Sequence, residues 1–334
     1  MPHSKYWGKK AMETVKTIRT VEYRSKKGLY AEGSEADEPP GGLGKLFRVP
    51  ILEDLLGVGE IYVDYEGGNP TGTHKDRIAR AHVEKALEEG FSGITVGTCG
   101  NYGASIAYHA AIHGLRAVVF VPAGYTNARL PEMRSLGAEV VEVPGSYEDA
   151  VEASRHFALL TGFYDANPGS NREVDFKAYS DMAVGIASRV RPTAVFVPLG
   201  NGTTLSGLWK GFRGLGITPT MVGVTTAFGN EILRRFYGES EGDFAETVFN
   251  EPLVSERSFD AEEALEAIKE SRGYVFGFPD DVALRYTELL RSTAGINPLP
   301  ASALVLAGLV KFVRKFGITD GRFVLVVTGG VHVG

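Results

Sequence analysis

From about residue 60 the chain alternates short β-rich apolar runs with longer segments whose apolar positions recur every three to four residues. This pattern predicts strands over 61–65 (IYVDY), 93–96 (GITV), 116–121 (RAVVFV), 138–143 (AEVVEV), 194–199 (AVFVPL), 220–225 (TMVGVT) and 322–327 (RFVLVV). It predicts helices over 75–89, 101–113, 127–136, 147–161, 173–190, 203–213, 261–272, 280–294 and 302–316. In the first of these, Ala79, Val83, Ala86 and Leu87 share one face. Such alternation argues for an α/β protein with mostly parallel sheets flanked by helices. Two stretches break the rhythm. Residues 31–45 (AEGSEADEPPGGLGK) are polar, with Pro-Pro and Gly-Gly pairs, and predict a surface loop; residues 238–259 are acidic and irregular and predict a mobile surface excursion.

Composition narrows the classes. With 334 residues and 43% hydrophobic content the chain can bury a large core arranged in two domains or lobes. A formal charge of −6 argues against nucleic acid as a partner. No apolar run approaches the roughly 18–20 residues of a membrane span, and residues 1–19 lack a signal-peptide core. The lone cysteine, Cys99, excludes an internal disulfide and fits a cytoplasmic protein. His109 and His113 stand one turn apart, yet no cysteine or acidic residue accompanies them, so no metal site is expected. Glycine departs most from the average: 42 of 334 residues, about double the usual share. The glycines gather at the ends of apolar runs, where the backbone turns tightly or approaches a ligand.

Four segments are polar or glycine-rich where a strand ends: 67–75 (GGNPTGTHK), 97–103 (GTCGNYG), 200–207 (GNGTTLSG) and 328–330 (TGG). Ligands of open α/β sheets sit beyond the carboxyl ends of strands. The third segment opens a helix with small and hydroxyl residues, a ready phosphate cradle of backbone N–H groups with Thr203 and Thr204. The sequence contains neither the nucleotide P-loop pattern nor the dinucleotide glycine fingerprint, so the phosphate is not that of a conventional nucleotide. Lys75 sits where loop becomes helix. A lysine fixed opposite a phosphate cradle suits pyridoxal phosphate, which needs an amine for its aldehyde, a phosphate anchor and a partner for its ring nitrogen.

Over residues 45–334 the chain resembles the fold-type II (tryptophan synthase β-like) pyridoxal phosphate enzymes, and among them the threonine synthases. Their lysine segment reads close to NPTGSFKDR; here it is NPTGTHKDR, 69–77. Their S-S-G-N-T-G appears as Thr98-Cys99-Gly100-Asn101-Tyr102-Gly103, their phosphate loop as Gly200-Asn201-Gly202-Thr203-Thr204, and their carboxyl-terminal hydroxyl as Thr328.

The resemblance implies a two-lobed fold, with 1–80 and 170–334 forming a larger cofactor-binding domain and 81–169 a smaller domain that closes over the substrate. It implies pyridoxal 5′-phosphate held by Lys75, which then moves the substrate's α-proton. Asn101 would bond the cofactor's 3′-oxygen, residues 200–204 its phosphate, and Thr328 its ring nitrogen. Thr98, Asn101 and the backbone around Cys99 and Tyr102 would bind the carboxylate of a small amino acid. It also implies a homodimer.

The implied activity is elimination or replacement on a small amino acid with a leaving group, threonine synthase-like. A cysteine or cysteate synthase type of β-replacement and a serine or threonine dehydratase stay open. Two positions depart from the pattern. Asp64 stands where the related enzymes carry a lysine that helps bind a substrate phosphate; the carboxylate would meet a neutral or cationic substrate tail, pair with Arg77 or Arg80, or face solvent. His74 replaces a phenylalanine, either packing on the lysine or relaying a proton.

Overall fold

The computed structural model describes residues 44–98, 100–124, 129–238 and 247–331. Two sheets organise them. The larger contains β1 (Lys45–Arg48), β2 (Glu60–Tyr65), β7 (Ala194–Pro198), β8 (Thr220–Thr226), β9 (Tyr274–Phe278) and β10 (Arg322–Val327), in the order β1-β2-β10-β7-β8-β9. All its neighbours are parallel except β1 and β2. The smaller is wholly parallel, with β3 (Gly93–Gly97), β4 (Arg116–Pro122), β5 (Glu139–Val143) and β6 (Tyr164–Asp165) in the order β5-β4-β3-β6.

Strand periodicity explains the core. In β10, Phe323, Leu325 and Val327 enter one apolar cluster while Val324 and Val326 enter another on the opposite face. Both faces are covered, so this strand reads as an unbroken apolar run. The cluster holding Val324 also takes Ile94, Val96, Val119 and Val121, so a single apolar body joins the two sheets. The edge strand β5 carries Glu139 and Glu142, charges that discourage further pairing.

The connecting helices are α1 (Pro50–Leu56), α2 (Lys75–Glu88), α3 (Asn101–His113), α4 (Leu130–Ser135), α5 (Tyr147–Thr161), α6 (Arg172–Ala187), α7 (Thr203–Gly214), α8 (Glu231–Tyr237), α9 (Ala261–Glu270), α10 (Asp280–Ala294) and α11 (Pro300–Phe316). The strands and helices expected from periodicity are present, with shifts at their ends. Helix α11 starts at Pro300 because proline suits the first helical position, where no N–H is needed. Three strands (β1, β6 and β9) and two helices (α1 and α8) were not expected. β9 (YVFGF) is aromatic-rich, but the glycines and proline around it disguise it as a turn. The predicted loop over 31–45 lies outside the described residues except at 44 and 45, and Lys45 already begins a strand.

The second break in the rhythm is corrected. Of 238–259, residues 239–246 lie outside the described set, but 247–258 are no free excursion. They make a short 3-10 turn (Glu251–Leu253) whose Leu253 is buried in the core. Asn250 is fully buried and donates to the Phe278 carbonyl at 3.1 Å.

One close approach matters for the site. Helix α7 meets α6 at Gly207 and Gly211, where an added Cβ would lie 2.5 Å from Tyr179 Cβ and 2.6 Å from the Ser180 carbonyl. Only glycine permits that separation. It brings Tyr179 of α6 to the start of α7.

Candidate active site

A cavity of about 850 Å³ opens at the carboxyl ends of β2, β3, β7 and β10. All four sequence-nominated segments line it, through Thr73–Lys75, Thr98–Tyr102, Gly200–Thr204 and Thr328. Cys99, in the second of these, lies outside the described residues.

The lysine loop is locked from beneath. Glu66, fully buried, accepts from Arg77 at 2.9 and 2.7 Å and from Asn69 Nδ2 at 2.6 Å. Asn69 also donates to the Thr73 carbonyl at 3.0 Å. Asp76 accepts from the Thr71 N–H at 2.8 Å and meets His109 Nε2 at 3.1 Å. Asp76, Arg77 and His109 therefore buttress the loop. Lys75, at the first position of α2, projects its amine toward Tyr179 Oη (3.4 Å), with the Tyr102 and Tyr179 ring centres 6.0 and 5.9 Å away. Burial lowers its pKa, partly opposed by the charges of Asp175 and Asp260, which favours the free amine that a Schiff base needs.

Two helix starts face this amine. The first bond within α7 runs from Ser206 N to the Gly202 carbonyl at 3.0 Å, which leaves the preceding N–H groups free for an anion. Gly202 has φ +95°, and a Cβ there would lie 2.8 Å from both the Asp260 carbonyl and Ala264 Cβ. The hydroxyls beside it are already engaged. Thr203 donates to Asp260 at 2.5 Å, and Thr204 lies 3.1 Å from His74 Nε2. Backbone N–H groups, rather than these two side chains, are thus the donors left open to an anion. Asn201 Oδ1 is held by Ser255 at 2.7 Å.

The second start is that of α3, whose first bond runs from Ala104 N to the Gly100 carbonyl at 3.0 Å. Arg129 donates to Asn101 Oδ1 at 3.1 Å. Arginine only donates, so the Asn101 amide presents its NH₂ to an acceptor. Thr98 Oγ1 accepts from Gly100 N at 3.2 Å, leaving its own proton to give. The Tyr102 hydroxyl is spent on the Ala166 carbonyl at 3.0 Å, so what this residue offers an anion is its backbone N–H.

At the far end Thr328 Oγ1 lies 2.9 Å from Ser302 Oγ. The Thr328 carbonyl accepts from the His74 N–H at 2.8 Å, and His74 Nδ1 lies 3.1 Å from the same oxygen.

Sequence reasoning does not nominate Tyr179, Asp175, Ser302, Arg129 or Ser255. Each reads as an ordinary polar position on a helix or loop. Of the places open to it, Asp64 takes neither the substrate tail nor the solvent. It is buried, it is not among the residues lining the cavity, and its Oδ2 has no hydrogen-bond partner. Burial, and then the charge of Glu66, push its pKa up to about 7, with Arg77 opposing. The strand's two-residue period points it to the core face shared with Tyr62, not to the substrate.

These features suit pyridoxal phosphate: a buried amine, an anion cradle that requires glycine, and a hydroxyl at the opposite end. The likenesses to known proteins point the same way. Residues 39–329 match the family described as pyridoxal-phosphate dependent enzyme, and the chain belongs to that family. Its cofactor is pyridoxal phosphate. It is 31% identical over 300 residues to a threonine synthase of Methanocaldococcus jannaschii, covering 85% of this chain and 73% of that one. Against a threonine synthase of Halalkalibacterium halodurans it is 30% identical over 298 residues, covering 86% and 82%. The fold is that of the fold-type II enzymes. Maize serine racemase shares it at a TM-score of 0.74 and 14% identity, covering 87% of this chain and 89% of that one. Threonine deaminase isoform 2 of Solanum lycopersicum shares it at 0.72 and 17%, covering 87% and 84%. No helix among the described residues is long and apolar enough to cross a membrane.

Proposed function

We propose that the protein catalyses elimination or replacement on a small amino acid that carries a leaving group, as a threonine synthase-like lyase. The observation that supports this best is the convergence of two helix starts on Lys75, with a hydroxyl and no carboxylate at Thr328. Pyridoxal phosphate, when bound, supplies an aldehyde for the substrate amine and a ring that draws electrons from the bonds to the α-carbon.

The chain's own residues do the rest. The start of α7 and Gly200–Gly202 hold the phosphate. Lys75 would hold the aldehyde, and its amine is the group placed to take and return the proton at the α-carbon. The Asn101 NH₂ donates to the ring's 3′-oxygen. Thr98 and the α3 N–H groups orient the carboxylate. Thr328 would offer the ring nitrogen a neutral hydroxyl and no carboxylate, a partner that would favour elimination and replacement over transamination. The segment 81–169 closes on the rest and excludes water; scattering profiles unchanged by bound amino acid would count against that closure.

A second reading, a dehydratase or β-replacement enzyme for an unphosphorylated substrate, has an observation of its own. Among the described residues, the cavity lining carries four carboxylates (Glu148, Asp175, Glu251, Glu256) against three cations (Lys75, Arg129, Arg257). Lys75 is committed to the cofactor, which leaves Arg129 and Arg257 against four carboxylates, a balance that suits an unphosphorylated substrate better than a phosphorylated one.

Purified enzyme should be assayed with O-phosphohomoserine, O-phosphoserine, O-acetylserine, serine and threonine, following phosphate, acetate and 2-oxo acid release. Phosphate release with threonine formation supports the first reading, and 2-oxo acid from serine or threonine supports the second. Turnover of none would overturn both. Lys75→Ala is expected to abolish turnover together with the absorbance band above about 400 nm that a Schiff-base lysine gives.

A further inference from the structure

Of the four described carboxylates that line the cavity, Asp175 alone is buried, at 4% exposure. It has no part in the steps assigned to Lys75, Asn101 and Thr328. Its place follows from two helices that face each other. Lys75 and His82, seven residues apart, lie on one face of α2, and Asp175 and Tyr179, four apart, lie on one face of α6. The faces meet in two rungs. Lys75 Nζ lies 3.4 Å from Tyr179 Oη, and His82 Nε2 lies 3.0 Å from Asp175 Oδ1. Asp175 therefore stands one helical turn from the level of the amine, about 6 Å of rise along α6.

The carboxylate is held by one oxygen. His82 is fully buried, and its Nδ1 lies 3.1 Å from Tyr164 Oη, so the ring is fixed at both nitrogens. A carboxylate only accepts, so Nε2 bears the proton of the bond to Asp175. Among the described residues nothing bonds the other oxygen, Oδ2. Nor is that oxygen sealed away without a partner, as Asp64 Oδ2 is. It is an acceptor left open to the cavity. We propose that Asp175 Oδ2 reads the substrate side chain, selecting an amino acid whose tail ends in a hydrogen-bond donor, a hydroxyl or an ammonium, over one whose tail is apolar or anionic. The proposal rests on the second reading above, in which the substrate is unphosphorylated.

The selection is a difference between tails. A donor tail fills the open acceptor when the site loses its water. An apolar tail displaces that water and leaves the carboxylate oxygen unpaired, which is costly in a buried place. An anionic tail adds like-charge repulsion where little water screens it. His82, fixed by Tyr164, is a positioning residue: it keeps Oδ1 occupied and Oδ2 turned to the ligand.

The test uses four L-amino acids of four carbons: homoserine, 2,4-diaminobutyrate, 2-aminobutyrate and aspartate. Each is titrated into holoenzyme, and the change in cofactor absorbance gives its dissociation constant. A hydrogen bond to a charged group predicts that homoserine and diaminobutyrate bind about ten- to a hundredfold more tightly than 2-aminobutyrate, with aspartate weakest. Equal affinity for the first three in wild type would overturn the proposal without any variant, as would no absorbance change with any of the four. Asp175→Asn keeps the size of the side chain and removes its charge. Diaminobutyrate should then lose and aspartate gain, each by about tenfold, while 2-aminobutyrate is unchanged. A uniform change across the four ligands would place the effect on Lys75 or the cofactor and overturn the proposal. The titration needs no turnover, so it judges Asp175 apart from the reaction. Donor-selective binding with no product from serine, threonine or O-acetylserine would defeat the second reading and still support the assignment of Asp175.

Discussion

Two irregular segments build walls of the cavity, and they are anchored in different ways. The lysine loop, 66–77, carries a side-chain network of its own (Glu66 to Asn69 and Arg77, Asn69 to Thr73, Thr71 to Asp76) beside bonds to His109, Arg129 and Thr328. The wall at 247–260 is tied by residues from elsewhere in the chain. Asp280 accepts from the Thr247 hydroxyl and from the N–H groups of Val248, Phe249 and Asn250. Asn230 donates to the Leu253 carbonyl at 3.0 Å, and Glu231 accepts from Ser258 N at 2.6 Å. A segment whose anchors are local advertises its structure in its own letters. One whose anchors are remote does not, and acidic composition there says little about exposure.

The sharpest way to break the contrast is to remove the centre of the local network. Glu66→Gln leaves the Arg77 guanidinium, largely buried beside it, without its bidentate partner. Breaking a buried pair on one side costs about 3–5 kcal/mol, and the loss should appear in denaturant unfolding. The loop also carries Lys75, so cofactor affinity should fall in parallel. Unchanged stability would mean that the ion pair does not hold the loop.

This difference in anchoring explains how much was legible. Strand runs such as RFVLVV and helices such as 75–89 follow from periodicity, because packing on a core imposes it. The four cavity-lining loops were legible because glycine and hydroxyls gather there at four strand ends of one chain. Tyr179 was not, since only the glycines of a distant helix, Gly207 and Gly211, bring it to the site. The place of Asp64 stayed open for a related reason. Strand alternation puts it on one of two faces, but both faces of this sheet are covered, so neither is the solvent or the ligand.

Asp64 gives the second prediction, since it lies under the lysine loop without sharing its network of bonds. Its folded pKa of about 7 exceeds the ordinary carboxylate value because burial disfavours the charge. Below about pH 4 the group is protonated folded and unfolded, and it costs nothing. Between about pH 4 and 7 the unfolded chain releases the proton while the folded chain retains it, so stability falls as pH rises. The penalty is complete above pH 7, at up to about 4 kcal/mol. Asp64→Asn should therefore be more stable than wild type at pH 8 and lose the advantage near pH 4. Urea titrations at the two pH values measure this. Parallel stability profiles for the two proteins would show that Asp64 is ionised in the fold.

The smallest effect is expected at the remote anchor, Asp280. Burial opposes its charge, but the Thr247 hydroxyl and three backbone N–H groups outweigh that and lower its pKa. The carboxylate is partly exposed, so water replaces some of what Asp280→Ala removes, and the cost to global stability should be about 1–2 kcal/mol. The local effect should be larger than the global one, because no other bond holds the N–H groups of 248 and 249 among the described residues. Limited proteolysis should cut Asp280→Ala within 247–258 well before wild type, while the absorbance of bound cofactor stays the same. If the variant instead lost cofactor and resisted cleavage, the two walls would form one cooperative unit. The distinction between local and remote anchoring would then describe the sequence only, and not how the site comes apart.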